Sequence, residues 1–295
     1  MNILISGASG LIGKALSNYL RLQGHCVYKL KRNGSGSPFT WQPEEGKVTL
    51  DPSVQIDAVI NLNGVNIGDK RWSKQRKKDI VNSRIQATSL LATTLAQTPT
   101  PPKILINASA IGFYGDTGFQ QVDESSPAGN NFLSDIVTQW EESAQVAIDA
   151  NIRTVFIRSG VVLAAKGGAL NKMLLPFKLG LGGKIGSGQQ FMSWISLDDE
   201  VRAIEYVLNN EDIHGPVNLT SPNPVTNTVF SQALGKKLNR PLLLPMPESL
   251  VKLMFAEMGE LLLLGSARVV PSVLVQHGFQ FNHPQLAQAL EDALK

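Results

Sequence analysis

The stretch Gly7-Ala8-Ser9-Gly10-Leu11-Ile12-Gly13 separates an apolar run, residues 3–5, from residues 14–20, whose apolar side chains recur at helical spacing. Strand, glycine-rich turn and helix in this order are typical of the unit that binds the pyrophosphate of a dinucleotide. Gly7 is expected to make the tight turn, Gly10 to let the backbone approach the pyrophosphate, and Gly13 to let the helix pack on the strand. The helix N-terminus adds unpaired amides. The predicted cradle comprises Gly7, Ser9, Gly10, Leu11, Ile12 and Gly13, and an ordinary strand-to-helix turn is the alternative.

The end of the second predicted strand indicates which dinucleotide binds. NAD sites usually place an acidic residue there, where it hydrogen-bonds the ribose hydroxyls. This chain reads Lys31-Arg32-Asn33 instead. Arg32 can bind a 2′-phosphate with two hydrogen bonds, and Lys31 adds a second positive charge. The pattern therefore favours NADP(H), and the alternative is a pair of solvated cations.

Short β-rich runs alternate with helical patterns along the chain, including helices predicted over residues 73–96 and 135–150. This alternation predicts an α/β fold of the Rossmann type, a doubly wound, mostly parallel sheet with helices on both faces. The main domain is predicted over residues 1–240, with substrate-side insertions from about residue 165, and a small, mostly helical domain over residues 241–295. Glycines between residues 167 and 188 predict either a mobile lid or ordinary turns.

Composition excludes several classes of protein. Hydrophobic residues make up 43% of the 295 residues, but no apolar segment is long enough to span a bilayer. No signal-peptide pattern follows Met1, and the single cysteine, Cys26, favours a reducing, cytoplasmic location. We expect Cys26 to be a small core residue of the second strand. The net charge of +3 is too small to imply a polyanionic partner, and the four histidines are too scattered to predict a metal site.

The basic run at residues 70–78 contains one aromatic residue, Trp72. Cations beside an aromatic ring can hold the phosphates and stack on the bases of a nucleic acid. A solvated helix start with Trp72 packed inward is the alternative. We favour the second interpretation because the net charge is modest.

Further segments together resemble a known family. The chain is similar, over nearly its whole length, to extended short-chain dehydrogenases/reductases of the nucleotide-sugar epimerase/dehydratase type. More narrowly, it resembles the atypical subfamily called epimerase family proteins. The resemblance rests on residues 7–13, 61–72, 83–84, 108–116, 158–163, 167–170 and 192–195, and on a tail similar to that subfamily's small C-terminal domain of unknown function.

This resemblance implies roles for particular residues. Residues 61–64 would line the adenosine side of the pocket, Ser109 would take the catalytic serine position, and residues 158–160 would lie beside the nicotinamide. Trp194 either walls the substrate pocket or fills core, and the resemblance favours the pocket. The implied cofactor contacts beyond the cradle and strand end are Asn63, Gly64, Ser83, Arg84, Ala108, Arg158 and Ser159.

The chain departs from the superfamily at its catalytic pair, Tyr-x-x-x-Lys. In that pair the lysine lowers the pKa of the tyrosine, so that the phenol exchanges a proton with the substrate. The matching positions hold Phe132 and Ile136, neither of which carries a proton. Tyr114, five residues after Ser109, is the substitute candidate, and a tyrosine that buries its ring is the alternative.

Two functions follow from these observations. The first is an NADP(H)-dependent oxidoreductase or epimerase with atypical proton-transfer residues, acting on an unidentified small molecule. The second is a catalytically silent NADP(H)-binding sensor. In both cases we expect a monomer or homodimer without a nucleic-acid, membrane or metal partner.

Overall fold

A computed structural model of the chain describes residues 1–32 and 37–295, so Asn33 lies outside the described residues. The strands of the main sheet are β1 (Asn2–Ser6), β2 (Cys26–Arg32), β3 (Thr40–Gln42), β4 (Lys47–Thr49), β5 (Ala58–Asn61), β6 (Ile104–Ala110), β8 (Arg153–Ser159) and β12 (Gly215–Leu219). Short strands outside it are β7 (Gln121–Val122), β9 (Val161–Leu163), β10 (Phe191–Met192), β11 (Trp194–Ser196), β13 (Val225–Thr226) and β14 (Arg268–Val269).

Helices connect these strands. They are α1 (Leu11–Leu22), α2 (Lys74–Ala96), α3 (Phe132–Glu142), α4 (Gln145–Asp149), α5 (Gly168–Lys178), α6 (Leu197–Asn209), α7 (Asn227–Lys237), α8 (Glu248–Phe255), α9 (Glu257–Gly259), α10 (Ser272–Gln276) and α11 (Leu286–Ala293). Short 3-10 turns occupy Pro43–Glu45 and Ile111–Tyr114, and a π-helical turn occupies Glu260–Leu264.

The eight-stranded sheet has the order β12-β8-β6-β5-β1-β2-β3-β4. Every pair in it is parallel except β3 with β4 at the edge. Ile3 and Ile5 pack in one core with α1 and α6, while Leu4, between them, packs in a second core with α2. Because successive side chains of a strand point to opposite faces, these cores cover both faces of the sheet. The predicted Rossmann-type fold is confirmed.

Capping residues set the helix boundaries. Ser73 caps α2 by accepting a hydrogen bond from the amide of Arg76, so the helix begins within one residue of the prediction. The helix predicted over residues 135–150 begins earlier, at Phe132, because Asn131 and Ser134 form a capping box. It also ends early and is followed by the separate helix α4.

The C-terminal region is helical, as predicted, and it packs against the main body. Leu286 and Leu290 of α11 lie in one core with Phe230 of α7 and Trp194 of β11. In addition, β14 pairs in parallel with β7. Residues from about 246 onward therefore complete a core that the first 240 residues begin.

Three local observations bear on other expectations. Cys26 is exposed at the start of β2, so the expectation that it is a core residue is wrong. In the glycine-rich segment, the backbones of Lys184 and Gly186 hydrogen-bond to Met246, which ties that segment to the C-terminal region. Within residues 1–32 and 37–295, no helix is both long and apolar enough to cross a membrane.

Candidate functional site

The glycine turn between β1 and α1 is shaped by close backbone approaches. Gly7 has a φ of +66°, and a Cβ there would lie 2.5 Å from Leu62 O. A Cβ at Gly13 would lie 2.3 Å from Gly7 O, so only glycine lets the helix start pack on the turn. Gly10 is the N-cap of α1, and no side chain among the described residues caps the helix there. The amides of the first helical turn are therefore left for a ligand, while Ser9 and Gly10 are exposed beside them.

Arg32 ends β2 beside this turn. Its Nη2 donates to Asn63 Oδ1 at 3.1 Å, and its Nη1 lies 3.9 Å from Glu44 Oε1. Both charged side chains are largely exposed, so this ion pair is weak and screened by solvent. Lys31 is also exposed. The guanidinium remains accessible to a phosphate at the carboxyl end of β2.

The loop after β5 is fixed to α2 by two hydrogen bonds. Asn63 Nδ2 donates to the carbonyl of Ser83 at 2.9 Å, and the amide of Val65 donates to Ser83 Oγ at 3.2 Å. Arg84 follows on the same helix, next to Gly64. The structure thus brings Asn63, Gly64, Ser83 and Arg84 together at the sheet edge that also carries the glycine turn.

Buried polar side chains form a hydrogen-bond network at the carboxyl ends of β1, β5 and β6. Asn61 Oδ1 accepts from Ser6 Oγ at 2.5 Å, and its Nδ2 donates to Asn107 Oδ1 at 2.7 Å. Thr88 Oγ1 accepts from Asn61 and from Trp140 Nε1, at 3.0 and 2.9 Å. Because β1, β5, β6, α2 and α3 all contribute, the strand ends are held in fixed register.

A second buried network connects the two predicted catalytic residues. Ser109 Oγ donates to Glu141 Oε1 at 2.6 Å, and Arg158 binds both oxygens of Glu141, at 2.8 and 2.7 Å. Nη1 of Arg158 donates to the hydroxyl of Tyr114 at 3.1 Å. That hydroxyl donates to Asn218 Oδ1 at 2.8 Å. Both hydroxyl protons are therefore engaged inside the protein.

The environment of Tyr114 does not favour proton exchange. Its side chain is only 4% exposed, and burial raises its pKa to about 12, although Arg158 and Asn218 act in the opposite direction. The phenol stays protonated at neutral pH. The Tyr114 hydroxyl can donate its proton to a ligand only if its hydrogen bond to Asn218 is broken.

Phe132 and Ile136 lie one turn apart on α3. The Phe132 ring packs edge-on against Trp72 at a centroid distance of 5.3 Å, and the ammonium of Lys77 lies 4.1 Å from its centroid. Ile136 is buried. Trp72 itself is half-buried, and its Nε1 donates to the carbonyl of Ile67 at 2.8 Å.

Comparison with known proteins then identifies the family. The sequence model of the NAD dependent epimerase/dehydratase family matches residues 3–219, and that of a domain of unknown function, DUF1731, matches residues 246–293.

The chain belongs to the NAD dependent epimerase/dehydratase family.

Similar proteins support this membership. The epimerase family protein Mb2239 of Mycobacterium bovis is 42% identical over 290 residues, which cover 98% of this chain and 96% of the relative. The crystal structure of human epimerase family protein SDR39U1 (isoform 2) with NADPH is 36% identical, has a TM-score of 0.93 and matches 100% of both chains. The UDP-glucose 4-epimerase of Thermus thermophilus in complex with NAD has a TM-score of 0.73 over 100% of this chain and 99% of its own, and at 15% identity it shares the fold alone.

Trp194 lies in the core and not at the substrate pocket that the resemblance favoured. It is fully buried beside Leu163, Phe230 and Leu286, and its Nε1 donates to the carbonyl of Asn223 at 3.2 Å. A side chain enclosed on all sides cannot wall a pocket. Trp194 therefore fills core, which was the second of the two expectations.

Ser159 ends β8, and Ala108 lies two residues before the end of the adjacent strand β6. Ala108 is half-buried in β6, next to Ser109. The hydroxyl of Ser159 donates to Glu200 Oε1 at 2.6 Å, and Glu200 Oε2 has no hydrogen-bond partner among the described residues. Burial raises the pKa of Glu200 to about 8. Ser159 is therefore bonded to a protein carboxyl group.

The sequence analysis did not identify Glu141, Asn218 or Glu200. Glu141 and Asn218 engage the predicted catalytic residues from α3 and β12, and no spacing in the sequence indicates which acid or amide will meet Arg158 or Tyr114. Glu200 carries a weak signal, because it lies on the buried face of α6 with Val201 and Ile204. An acid at an apolar position of a helix indicates a buried carboxyl group.

One group of possible metal ligands exists in the described part of the chain, formed by Asp198, Asp199 and His283. Asp199 already accepts hydrogen bonds from the backbone amides of Asn282 and His283, at 2.7 and 2.9 Å. It also accepts from Arg202 at 2.9 Å. These bonds fasten the C-terminal segment to α6, which gives the carboxylate a structural role.

Proposed function

We propose that the protein binds NADP(H) at the carboxyl edge of its sheet and selects the phosphorylated coenzyme through Arg32. The observation that carries the proposal is the pairing of the Gly7–Gly13 cradle with an accessible guanidinium at the end of β2. The adenosine ribose of a dinucleotide lies at this strand end. The human relative crystallised with NADPH supports the same choice.

The residues of the chain fit this coenzyme. A side chain at Gly7 or Gly13 would close the cradle, and the start of α1 has neither a capping side chain among the described residues nor an acid in its first turn. Arg32 and Lys31 would face the 2′-phosphate, and Asn63 would orient Arg32. The contacts proposed from the family resemblance, at Ser83, Arg84, Ala108, Arg158 and Ser159, belong to this proposal. NADPH supplies a hydride donor when bound.

The first candidate chemistry is oxidoreduction or epimerisation of an unidentified small molecule. Membership in the epimerase/dehydratase family supports it. Ser109 and Tyr114 would then move protons, and each would have to exchange its present partner, Glu141 or Asn218, for the substrate.

The second candidate is a catalytically silent NADP(H)-binding protein that reports nucleotide state to a partner. The buried hydrogen bonds of both candidate hydroxyls support it. So does the assignment, implied by the family resemblance, of Phe132 and Ile136 to the Tyr-x-x-x-Lys positions. The geometry therefore supports coenzyme binding more strongly than proton transfer.

Turnover distinguishes the candidates. NADPH oxidation is measured with sugar nucleotides, carbonyl compounds and quinones, in the wild type and in Ser109→Ala and Tyr114→Phe. Turnover that these changes abolish supports the enzyme. Tight NADPH binding without turnover on any compound supports the silent protein, and turnover that both variants retain removes Ser109 and Tyr114 from the proposal.

A cytoplasmic location is part of the proposal, supported by the single cysteine of the sequence. The proposal also includes a monomeric or homodimeric state.

A further inference from the structure

Two neighbouring segments of the chain expose large aliphatic side chains to solvent. The first comprises the end of α5 and the residues after it, and the second lies between α7 and α8. The exposed residues, each at least 53% exposed, are Leu175, Leu179, Leu181, Leu243 and Leu244. We call these five residues the leucine surface. Soluble proteins rarely leave so many large apolar side chains exposed together, so this surface indicates a contact outside the chain.

Close contacts hold the two segments side by side. Arg240 Nε donates to the carbonyl of Lys178 at 2.8 Å. A Cβ on Gly183 would lie 2.3 Å from the carbonyl oxygen of Leu244. The hydrogen bonds to Met246 described above continue the same alignment. The leucines of the two segments therefore lie on adjacent stretches of chain.

Helix α5 is apolar on two opposite sides. Leu170, Leu174 and Phe177 are buried in a core. Leu175 and Leu179, one turn apart on the other side, are exposed. A helix that is apolar all round is normally enclosed by protein or lipid. The exposed side of α5 therefore lacks the cover that its composition indicates.

The leucine surface is flanked by positive charge. Lys178, Lys184 and Arg240 are exposed on the same two segments. Within residues 1–32 and 37–295, none of the three forms an ion pair. No acidic residue occurs in residues 150–197 or 213–247. Although the net charge of the whole chain is small, the partner that complements this region is an anion.

This charge distinguishes between possible partners. A second copy of the chain docked through the same surface would place like charges against one another, which disfavours a symmetric dimer. Protein interfaces are also enriched in aromatic residues, whereas the apolar residues here are all leucines. A membrane with anionic lipids fits better. Its headgroups attract lysine and arginine, and its acyl boundary accepts aliphatic side chains without a matching shape.

We propose that the leucine surface and its flanking cations attach the protein to the surface of an anionic membrane. The sequence expectation of no membrane partner rested on the absence of a spanning segment, and attachment to a membrane surface requires none. The attachment does not depend on the proposed coenzyme binding. It also agrees with a cytoplasmic location, because the cytoplasmic leaflet carries anionic lipids.

Co-sedimentation with lipid vesicles tests the attachment. The wild type is expected to bind vesicles of equimolar phosphatidylcholine and phosphatidylglycerol, to bind phosphatidylcholine vesicles much less, and to be released by salt. Leu179→Gln/Leu243→Gln is expected to weaken binding to the mixed vesicles about tenfold or more. The control Leu22→Gln, at a leucine 85% exposed at the end of α1, is expected to bind as the wild type does.

Charge variants test the second component. Lys178→Gln/Lys184→Gln is expected to weaken binding about tenfold or more, since each cation near an anionic membrane contributes about fivefold. The control Lys29→Gln/Lys103→Gln removes the same charge from two other exposed positions and is expected to change little.

Thermal unfolding and NADPH titration are expected to be unchanged in the surface variants, because the replaced side chains are exposed. A wild type that binds neither vesicle, or binds both equally, overturns the proposal. Equal losses in the control and surface variants also overturn it. A wild-type dimer that Leu179→Gln/Leu243→Gln converts to a monomer would assign the surface to a second copy instead. Binding to the mixed vesicles alone, without any affinity for NADPH, would support the attachment and refute the proposed function.

Discussion

Replacement of Glu200 by glutamine is expected to change how stability depends on pH. Glu200 lies in the first turn of α6 with no exposed surface. One carboxyl oxygen accepts the Ser159 hydroxyl at 2.6 Å, and the other has no partner among the described residues. Burial raises the pKa of Glu200 from 4.5 to about 8, so the folded protein holds a proton that the unfolded chain releases.

The direction of the effect follows from this difference. Because the pKa of Glu200 is raised in the folded state, its contribution to the free energy of unfolding is fully present below about pH 4.5. That contribution is lost as the pH rises through about 8. At 1.36 kcal/mol per pKa unit, the whole loss approaches about 5 kcal/mol, and about 2 kcal/mol of it falls between pH 6 and 8. Glutamine has no proton to release and escapes this loss.

Urea unfolding at pH 6, 7 and 8 measures the effect. The free energy of unfolding of Glu200→Gln minus that of the wild type is expected to rise by about 2 kcal/mol across this range. Glu211→Gln, at an exposed site just after the same helix, is expected to give a difference independent of pH. Glu200→Leu provides the same pH comparison should the amide pack poorly. A difference that does not change with pH in either Glu200 variant refutes the reasoning, since Glu200 would then be ionised in the folded state.

Two further predictions concern the cradle and the buried ion pair. Gly13→Ala is expected to cost about 2 kcal/mol of stability and to abolish NADPH binding, since its Cβ would lie 2.3 Å from Gly7 O. Gly10→Ala, whose Cβ would lie 3.3 Å from Gly7 O, is expected to cost less stability than Gly13→Ala and to weaken NADPH binding; equal melting temperatures for the two variants would contradict the geometry. Arg158→Met is expected to cost about 3–5 kcal/mol in urea unfolding because it leaves the buried Glu141 carboxylate without a cation. The double variant Arg158→Met/Glu141→Leu is expected to lose less, and additive losses would show that the two side chains act independently.

The local sequence was sufficient for features governed by neighbouring residues. The turn at Gly7 and Gly13, the alternation of strands and helices, and the start of the helix near residue 73 each depend on residues close together in the chain. The helix predicted from residue 135 begins at Phe132 because Asn131 and Ser134 form a capping box. That signal was present in the sequence.

Features that depend on distant residues were not predictable in the same way. Tyr114 meets Asn218 and Arg158, 104 and 44 residues away, and these partners are set by the sheet order rather than by any motif. Trp194 was expected at a pocket and lies in the core because α11, nearly one hundred residues further along, covers it. Cys26 is exposed at the beginning of its strand, where the periodic pattern of apolar residues does not indicate whether a side chain is buried.

The affinity of the protein for NADPH and NADH, with and without Arg32, tests the central claim most directly. Both coenzymes are titrated into the wild type, Arg32→Ala and the control Lys29→Ala, an exposed cation on the same strand. The wild type and Lys29→Ala are expected to prefer NADPH by about tenfold or more, and Arg32→Ala is expected to lose that preference while still binding NADH. No affinity for NADPH, or a preference that is unchanged in Arg32→Ala, would contradict the account.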